Sequence, residues 1–503
     1  VGRNALDANT TAANNTAVGY AALGANTTGS SNIAMGAEAL DANTTGDNNI
    51  AVGQSALGAN TTANSNTAMG YSAMLTNTTG GNNTALGSNC LYYNTTASNN
   101  VAVGMNALLQ NTTGTENTAV GALSLDASTT GTRLTAIGYA ALSANTTGNY
   151  NAAGGWKALN ANTTGTHNSA WGDGSLQFNT TGAANSALGQ GALAANTTAN
   201  NNTAVGVDAL KINTTGSENT AVGVNALRAN TSAANNTAVG VNALTANTTG
   251  IDNVAMGSGA GTALTTGSNN TAIGRVALAT ATTSSDNTAV GLSALRFTTT
   301  GAHNTAVGKS AGTAITTGQG TTAVGVGAGG TLTTGNWNIY VGPICNPSSG
   351  GIAQEIVLGT RGGNAVTGKG NNTAFIDPNG GGTYQGNNAT AWTQVSDSRL
   401  KKNIVDNTEG LELINAIRVR NFEYRVEDEV TELEPTTAIA ITGVQLGVIA
   451  QELEEVCPDC VKEESTGIKT VLTDDIMWHM LNAIKQLSTQ LDAALARITT
   501  LEG

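Results

Sequence analysis

Asn15-Thr16-Ala17-Val18-Gly19, then Ala22-Leu23, then Asn26-Thr27-Thr28-Gly29, is the stretch that decides the fold. It returns every 17 residues: glycine stands at Gly2, Gly19, Gly36 and Gly53 and holds that spacing without an insertion to Gly325, Gly342 and Gly359, 22 glycines in register. A helix-turn-helix repeat needs about 34 residues, so the period excludes it. The length suits two short strands and two turns, one coil of a parallel β-solenoid or β-roll. Thr-Ala-Val-Gly reads as strand. Asn-Thr-Thr-Gly reads as a turn, because Asn and Gly tolerate positive φ. Coils stacked ~4.8 Å apart would build a rod roughly 100 Å long.

The columns of the repeat show what faces inward. Two residues before each glycine, Ala holds the position from Ala17 to Ala323. Three residues after it the side chain stays small, as in Ala22, Ala39, Cys90, Ser124, Ser175 and Cys345. Such a column implies close backbone approach, within a coil or between chains at an axis. Next come Leu (Leu23, Leu40, Leu244) and Asn (Asn26, Asn43, Asn247). In three coils the Leu position becomes Gly261, Gly312 or Gly329 while the Asn position becomes Leu264, Ile315 or Leu332. Both columns therefore flank one core volume, filled from either side as close packing demands. Asn26, Asn43 and Asn145 also stand in Asn-x-Thr glycosylation sequons. They follow the coil register, which favours stacked amides hydrogen-bonded from coil to coil. Tyr20, Tyr71, Tyr139 and Trp156 share a column with Arg3, Asp173 and Lys309, so that column is expected to face outward, and so are His167 and His303.

Composition agrees with a repeat. Among 503 residues 11% are charged, 4% are aromatic and 64 are Gly; an average chain is about 25% charged. A prior of ~150 residues per domain misleads for such a chain, and a large mixed-core enzyme is excluded. Only 5 Pro and a hydrophobic fraction of 40% argue against disorder. Charge concentrates after a boundary near residue 395: residues 396–503 hold 20 acidic and 10 basic residues, residues 1–395 only 13 and 10. The acidic balance argues against nucleic acid as a partner. The absence of an apolar run of about 18 residues argues against membrane insertion. The chain opens inside a repeat at Val1-Gly2, as expected of a fragment or processed form.

Three segments follow: a solenoid shaft over 1–345, a Gly-rich β junction over 346–395, and a small α+β domain over 396–503. The last begins Ser396-Asp397-Ser398-Arg399-Leu400-Lys401-Lys402-Asn403-Ile404 and continues through Gly410-Leu411-Glu412-Leu413-Ile414, Val419-Arg420-Asn421-Phe422-Glu423-Tyr424 and Gly447-Val448-Ile449-Ala450-Gln451-Glu452-Leu453. It ends in a helix expected over 475–502. There Met477, Ile484, Leu491 and Ile498 share one heptad position and Met480, Leu487, Ala494 and Leu501 the other, the pattern of a short coiled coil. Read from the residues alone, Ser396 caps a helix beginning near Arg399, and Lys401 is a solvated charge.

The first and last of these segments are the two hallmarks by which 396–503 resembles the intramolecular chaperone domain of phage tail spikes and fibres, the endosialidase-type self-cleaving peptidase family. The shaft resembles tail-fibre repeats with Asn-Thr-Ala-Val-Gly and, at a shorter period, the β-roll heads of trimeric adhesins. The resemblance implies a homotrimer whose C-terminal domain guides folding and then releases itself. It implies Ser396 as nucleophile and Lys401 as its base, with cleavage at Ser396–Asp397, or second at Val395–Ser396. Any enzymatic role is at most that single self-cleavage. The Ser–Lys chemistry is sound, since a hydroxyl needs a neighbour to take its proton and burial can depress a lysine pKa. The implied role is structural reach and attachment to a host receptor or glycan, on a virion tail fibre or an extracellular surface. A cellular adhesin or filament subunit using the same chaperone is the alternative, and a glycan-degrading spike a remoter one, because the uniform repeat leaves no room for a catalytic insertion.

No cofactor or metal is expected. Cys457-Pro458-Asp459-Cys460 has CxxC spacing, but His479 is read as standing apart and Cys457 as a packed residue. Cys90 and Cys345 are read as core substitutes for Ala.

Overall fold

A computed structural model describes residues 1–360, 364–378, 382–386, 393–394, 401–426, 429–431, 439, 441–464 and 467–502. The chain divides into two compact units, Val1–Val395 and Ser396–Gly503.

The first unit is a parallel β-solenoid of 17-residue coils. Each coil contributes one three-residue strand, from Thr16–Val18 to Ile339–Val341. Thr16 pairs with Ile33, Ala17 with Ala34 and Val18 with Met35, and the same register repeats along the stack. The expected second strand does not form. The segment after each glycine is a turn with left-handed residues, such as Ala21 at φ 53° and Leu23 at φ 52°. A bulky residue there is strained, and bonds between coils hold it: the Leu23 N–H donates to the Ala39 carbonyl at 3.0 Å, while the Glu38 N–H donates to Tyr20 at 2.8 Å. Turn residues thus join the ladder that strands alone were expected to make.

The glycines have a different cause from the one expected. Asn26 and Gly29 carry no positive φ. A Cβ on Gly29 would crowd the Gly46 carbonyl and the Asn26 side chain, yet Ala63 and Ala97 fill the same column in other coils, so this position takes a small residue rather than glycine alone. Positive φ belongs to the repeat glycine, as at Gly19 with φ 139°, where a Cβ would also overlap the carbonyl of Gly36. No other residue meets both constraints.

Within a coil the core has an apolar and a polar half. Ala34, Ala39 and Leu40 are fully buried on one side, Asn43 and Asn49 on the other. The small column therefore packs inside its own coil. Asn43 donates through Nδ2 to Asn26 Oδ1 at 2.8 Å and to the Gly46 carbonyl at 3.0 Å, and its Oδ1 accepts from Asn60 at 2.9 Å. A second ladder runs beside it. The Asn49 N–H donates to Asn32 Oδ1 at 2.9 Å, and Asn49 Nδ2 to the Ala63 carbonyl at 2.8 Å. Full burial of Asn26, Asn43 and Asn145 removes them as glycosylation sites.

The first ladder breaks at Ser128, leaving Asn111 Oδ1 without a donor, and ends at Asn247, which faces Leu264. The exchange at Gly261, Gly312 and Gly329 is as expected. A Cβ on Gly312 would stand 2.9 Å from Leu295 Cδ2 and 3.1 Å from Ile315 Cδ1, so Ile315 occupies the space a leucine would have filled. Cys90 and Cys345 are buried in the small column, and burial pushes the Cys90 thiol up to about 11.

The stack closes gradually. Ile339 pairs with Ile356, Ile356 with Ala374 after one extra residue, and Ala374 then pairs antiparallel with Gln385. Glu355 stands in the second Asn ladder, fully buried. Its N–H donates to Asn338 Oδ1 at 2.9 Å, and its carboxyl accepts from the Tyr340 hydroxyl at 3.2 Å and from the N–H groups of Ser348 at 3.2 Å and Gly370 at 2.8 Å.

Asn179 tests the shared volume. Asn179→Leu strips Asn162 Oδ1 of its donor and overfills the core, so it should cost about 2–5 kcal/mol. Adding Leu176→Gly recreates the arrangement of Gly261 with Leu264. A double-mutant cycle in denaturant should then show a favourable coupling of about 1–3 kcal/mol; simple additivity would show that the two columns do not share space.

Candidate functional site

The second unit folds around a few apolar side chains. Leu453, Cys457 and Cys460 are buried, with Leu413, Ile417, Val448, Val471 and Ile476 packed against them. Three helices each supply one of these side chains, Leu413 from α1 over Leu411–Ala416, Leu453 from α2 over Ala450–Glu454 and Ile476 from α3 over Thr473–Glu502. Two antiparallel pairs complete it, Arg420–Phe422 with Gln445–Gly447 and Val461–Glu463 with Lys469–Val471.

Gly410 lets α1 meet α3. A Cβ there would stand 2.6 Å from the Ala483 nitrogen. Gln486 uses the close approach from both ends of its amide. Its Oε1 accepts from the Leu411 N–H at 2.7 Å, and its Nε2 donates to the Thr408 carbonyl at 2.8 Å. Asn482 Nδ2 donates to the Asn407 carbonyl at 2.9 Å.

Two segments singled out in the sequence are tied to each other by charge. Arg420 donates through Nε and Nη2 to both oxygens of Glu452, at 3.0 and 2.8 Å. Those hydrogen bonds hold the Glu452 carboxyl below its usual range and raise the Arg420 guanidinium. Lys469 pairs with Glu454 on the same short helix, which raises the lysine.

Of the residues expected to cleave the chain, Ser396, Val395 and Asp397 lie outside the described residues, as does Arg399. Lys401 is described and exposed.

The CxxC segment corrects the sequence reading. Cys457 and Cys460 form a disulfide across the 3₁₀ turn Pro458–Cys460. His479 does not stand apart: one of its ring nitrogens and the two sulfurs lie within 4.8 Å of one another. Sequence reasoning missed this because the histidine reaches the sulfurs only when α3 packs. The Gly410 and Gln486 contact is equally silent in sequence, being a matter of approach distance.

On the solenoid, Tyr71 and Trp156 are exposed as expected, at 57% and 49%. His167 and His303 are also exposed. Among the described residues no helix is long and apolar enough to cross a membrane.

The ion pair sets a pH dependence. Because the folded-state pKa of Glu452 is depressed, its contribution is present above the ordinary Glu value of about 4.3. It is lost as pH falls through the lower folded value. Thermal midpoints of this unit should therefore differ between wild type and Glu452→Gln at neutral pH and converge in strong acid.

Residues 396–462 match the model of the family described as chaperone of endosialidase. No curated protein and no solved structure matches the chain. Residues 396–462 thus carry an endosialidase-type chaperone segment, and together with the solenoid of 17-residue coils they fit a protein of the tail-fibre, endosialidase type.

Proposed function

We propose that the chain is a homotrimeric fibre protein for attachment to a host or other surface, assembled and folded under the direction of its C-terminal unit. The observation that carries this reading is a pair of apolar faces that one chain leaves bare. On the solenoid, the residue before the repeat glycine is apolar in every coil from Val18 to Val341 except at Gly154, and in many coils it is open to solvent: Val18, Met35, Met69, Ile137, Leu188 and Met256 are each 40–55% exposed. The column carries no charge from Val18 to Val341. Monomeric proteins rarely leave such a stripe open. A partner that matches it rung by rung must share its period, and a parallel copy of the same chain does.

In α3, every residue from Leu487 to Glu502 is exposed, among them Leu487, Leu491 and Ile498. A bare helix of that length is marginal in water, and packing of these heptad positions between copies would stabilise it. Exposed Tyr and Trp side chains along the shaft offer flat apolar surfaces to sugar rings at the target.

The same unit would then release itself. In this reading Lys401 is the base for the Ser396 hydroxyl, and Ser396 Oγ attacks the Val395 carbonyl carbon. The Val395–Ser396 amide breaks as an ester forms, and the Ser396 nitrogen takes the proton. Water then hydrolyses the ester, restoring the hydroxyl and leaving a Val395 carboxylate. Attack on the preceding carbonyl closes an unstrained ring, whereas attack by Ser396 on its own carbonyl closes a strained one. Cleavage at Ser396–Asp397 needs a nucleophile from elsewhere. The family match beginning at residue 396 supports a cleavage beside that residue.

Denaturing gels test the cleavage. Wild type should release a fragment that Ser396→Ala does not, and the fragment's mass distinguishes the two bonds. Identical uncut gels would sink the self-cleaving part of the reading. Sedimentation tests the assembly. The full chain should run as a trimer, and Leu487→Asp with Leu491→Asp should shift it toward monomer; a wild-type monomer at micromolar concentration would overturn the trimer.

A further inference from the structure

Cys457, Cys460 and His479 come from two separate elements and converge on one point at the edge of the small core. Both sulfurs are buried and the imidazole is half-buried. Their ligand-capable atoms lie within 4.8 Å of one another. Tetrahedral zinc has bonds of ~2.3 Å to sulfur and ~2.0 Å to nitrogen, which sets its ligand atoms roughly 3.3–3.8 Å apart. The three groups are therefore within a side-chain rotation of a metal-binding geometry.

The histidine is also oriented for the task. His479 Nδ1 faces the Glu409 carbonyl at 3.2 Å. A carbonyl only accepts, so Nδ1 carries the hydrogen and Nε2 keeps the lone pair. A metal-ligating imidazole is usually fixed in just this way, by a backbone carbonyl on its other nitrogen.

We propose that the reduced form of this cluster is a zinc-class metal site, with the thiolates of Cys457 and Cys460 and the imidazole of His479 as ligands and solvent in the fourth position. The disulfide and the metal are alternatives. A cellular dithiol, or a trialkylphosphine in the laboratory, opens the disulfide. With the phosphine, the S–S bond breaks, two thiols form, and the phosphine leaves as its oxide with oxygen taken from water. Binding of a divalent ion then displaces the two thiol protons. Polypeptides are made in a reducing cytosol, where thiols persist, so the metal form is available while the chain folds. In that form the ion pins α3 to the Cys457–Cys460 loop, and the disulfide, which spans only that loop, does not.

The test uses the full chain reduced with a phosphine and titrated with Co²⁺ as a spectroscopic stand-in for Zn²⁺. The expected result is one Co²⁺ per chain, with a thiolate-to-cobalt charge-transfer band and intense tetrahedral d–d bands, both removed by Zn²⁺. Re-oxidised chain should give neither. His479→Ala should weaken binding at least ~10-fold, and His479→Cys should restore it with a stronger charge-transfer band. Far-UV circular dichroism checks that each variant keeps its helix. No thiolate band in the reduced wild type would overturn the site. So would a band unchanged in His479→Ala, or one that persists in the Cys457→Ser, Cys460→Ser double variant, because Cys90 or Cys345 would then be its source.

Discussion

One constraint governs the solenoid: each coil buries amide side chains that its own residues cannot satisfy. Asn43 needs Asn26 on one side and Asn60 on the other, and a buried amide left unpaired costs about 1–3 kcal/mol. A single coil is therefore unstable and a stack is stable, the cooperativity expected of a one-dimensional repeat. The 17-residue period tolerates no insertion because a slip of one residue would place an alanine where a neighbour expects an amide. The repeat glycine serves the same end, allowing coils to approach until the amides meet.

Much of this was legible in the sequence. The period, the inward Ala column, the small column and the exchange of Leu for Gly at position 261 all follow from residue spacing, since spacing and volume are what a solenoid preserves. The dihedral logic was not legible. Leu23 in a left-handed conformation contradicts ordinary propensity, and only bonds to the adjacent coil, such as that from Leu23 to Ala39, hold it there. The second Asn ladder was hidden by its position just before the strand, where nothing local marks Asn15 as facing inward. In the C-terminal unit, short segments could be recognised by their residues. The approach of α3, and with it the place of His479, depends on packing that no local pattern records.

The chain divides its chemistry between its two units. The core of the shaft uses neutral amides and hydroxyls, whose bonds do not change with pH near neutrality, and keeps ion pairs such as Arg133 with Glu116 on its surface. The acidic C-terminal unit relies on ion pairs such as Arg420 with Glu452, which acid and salt weaken. Its small core holds few large side chains, so each contact to α3 carries a large share of the whole. A unit of this kind suits a role in assembly better than one in lasting mechanical support.

Glu355 ends the second amide ladder in the manner of a chain-terminating monomer. Each Asn in the second ladder accepts from the N–H of the following coil and donates its amide onward, and the run is interrupted only at Leu134 and Thr321. A carboxylate offers acceptors only. The Glu355 N–H still donates to Asn338 Oδ1, as an Asn in that place would, but its carboxyl accepts from the Tyr340 hydroxyl and the N–H groups of Ser348 and Gly370 and passes no donor onward. No free amide is left at that end of the ladder to template another coil. The amide ladder thus stops at Glu355 while strand pairing runs one rung further, from Ile356 to Ala374.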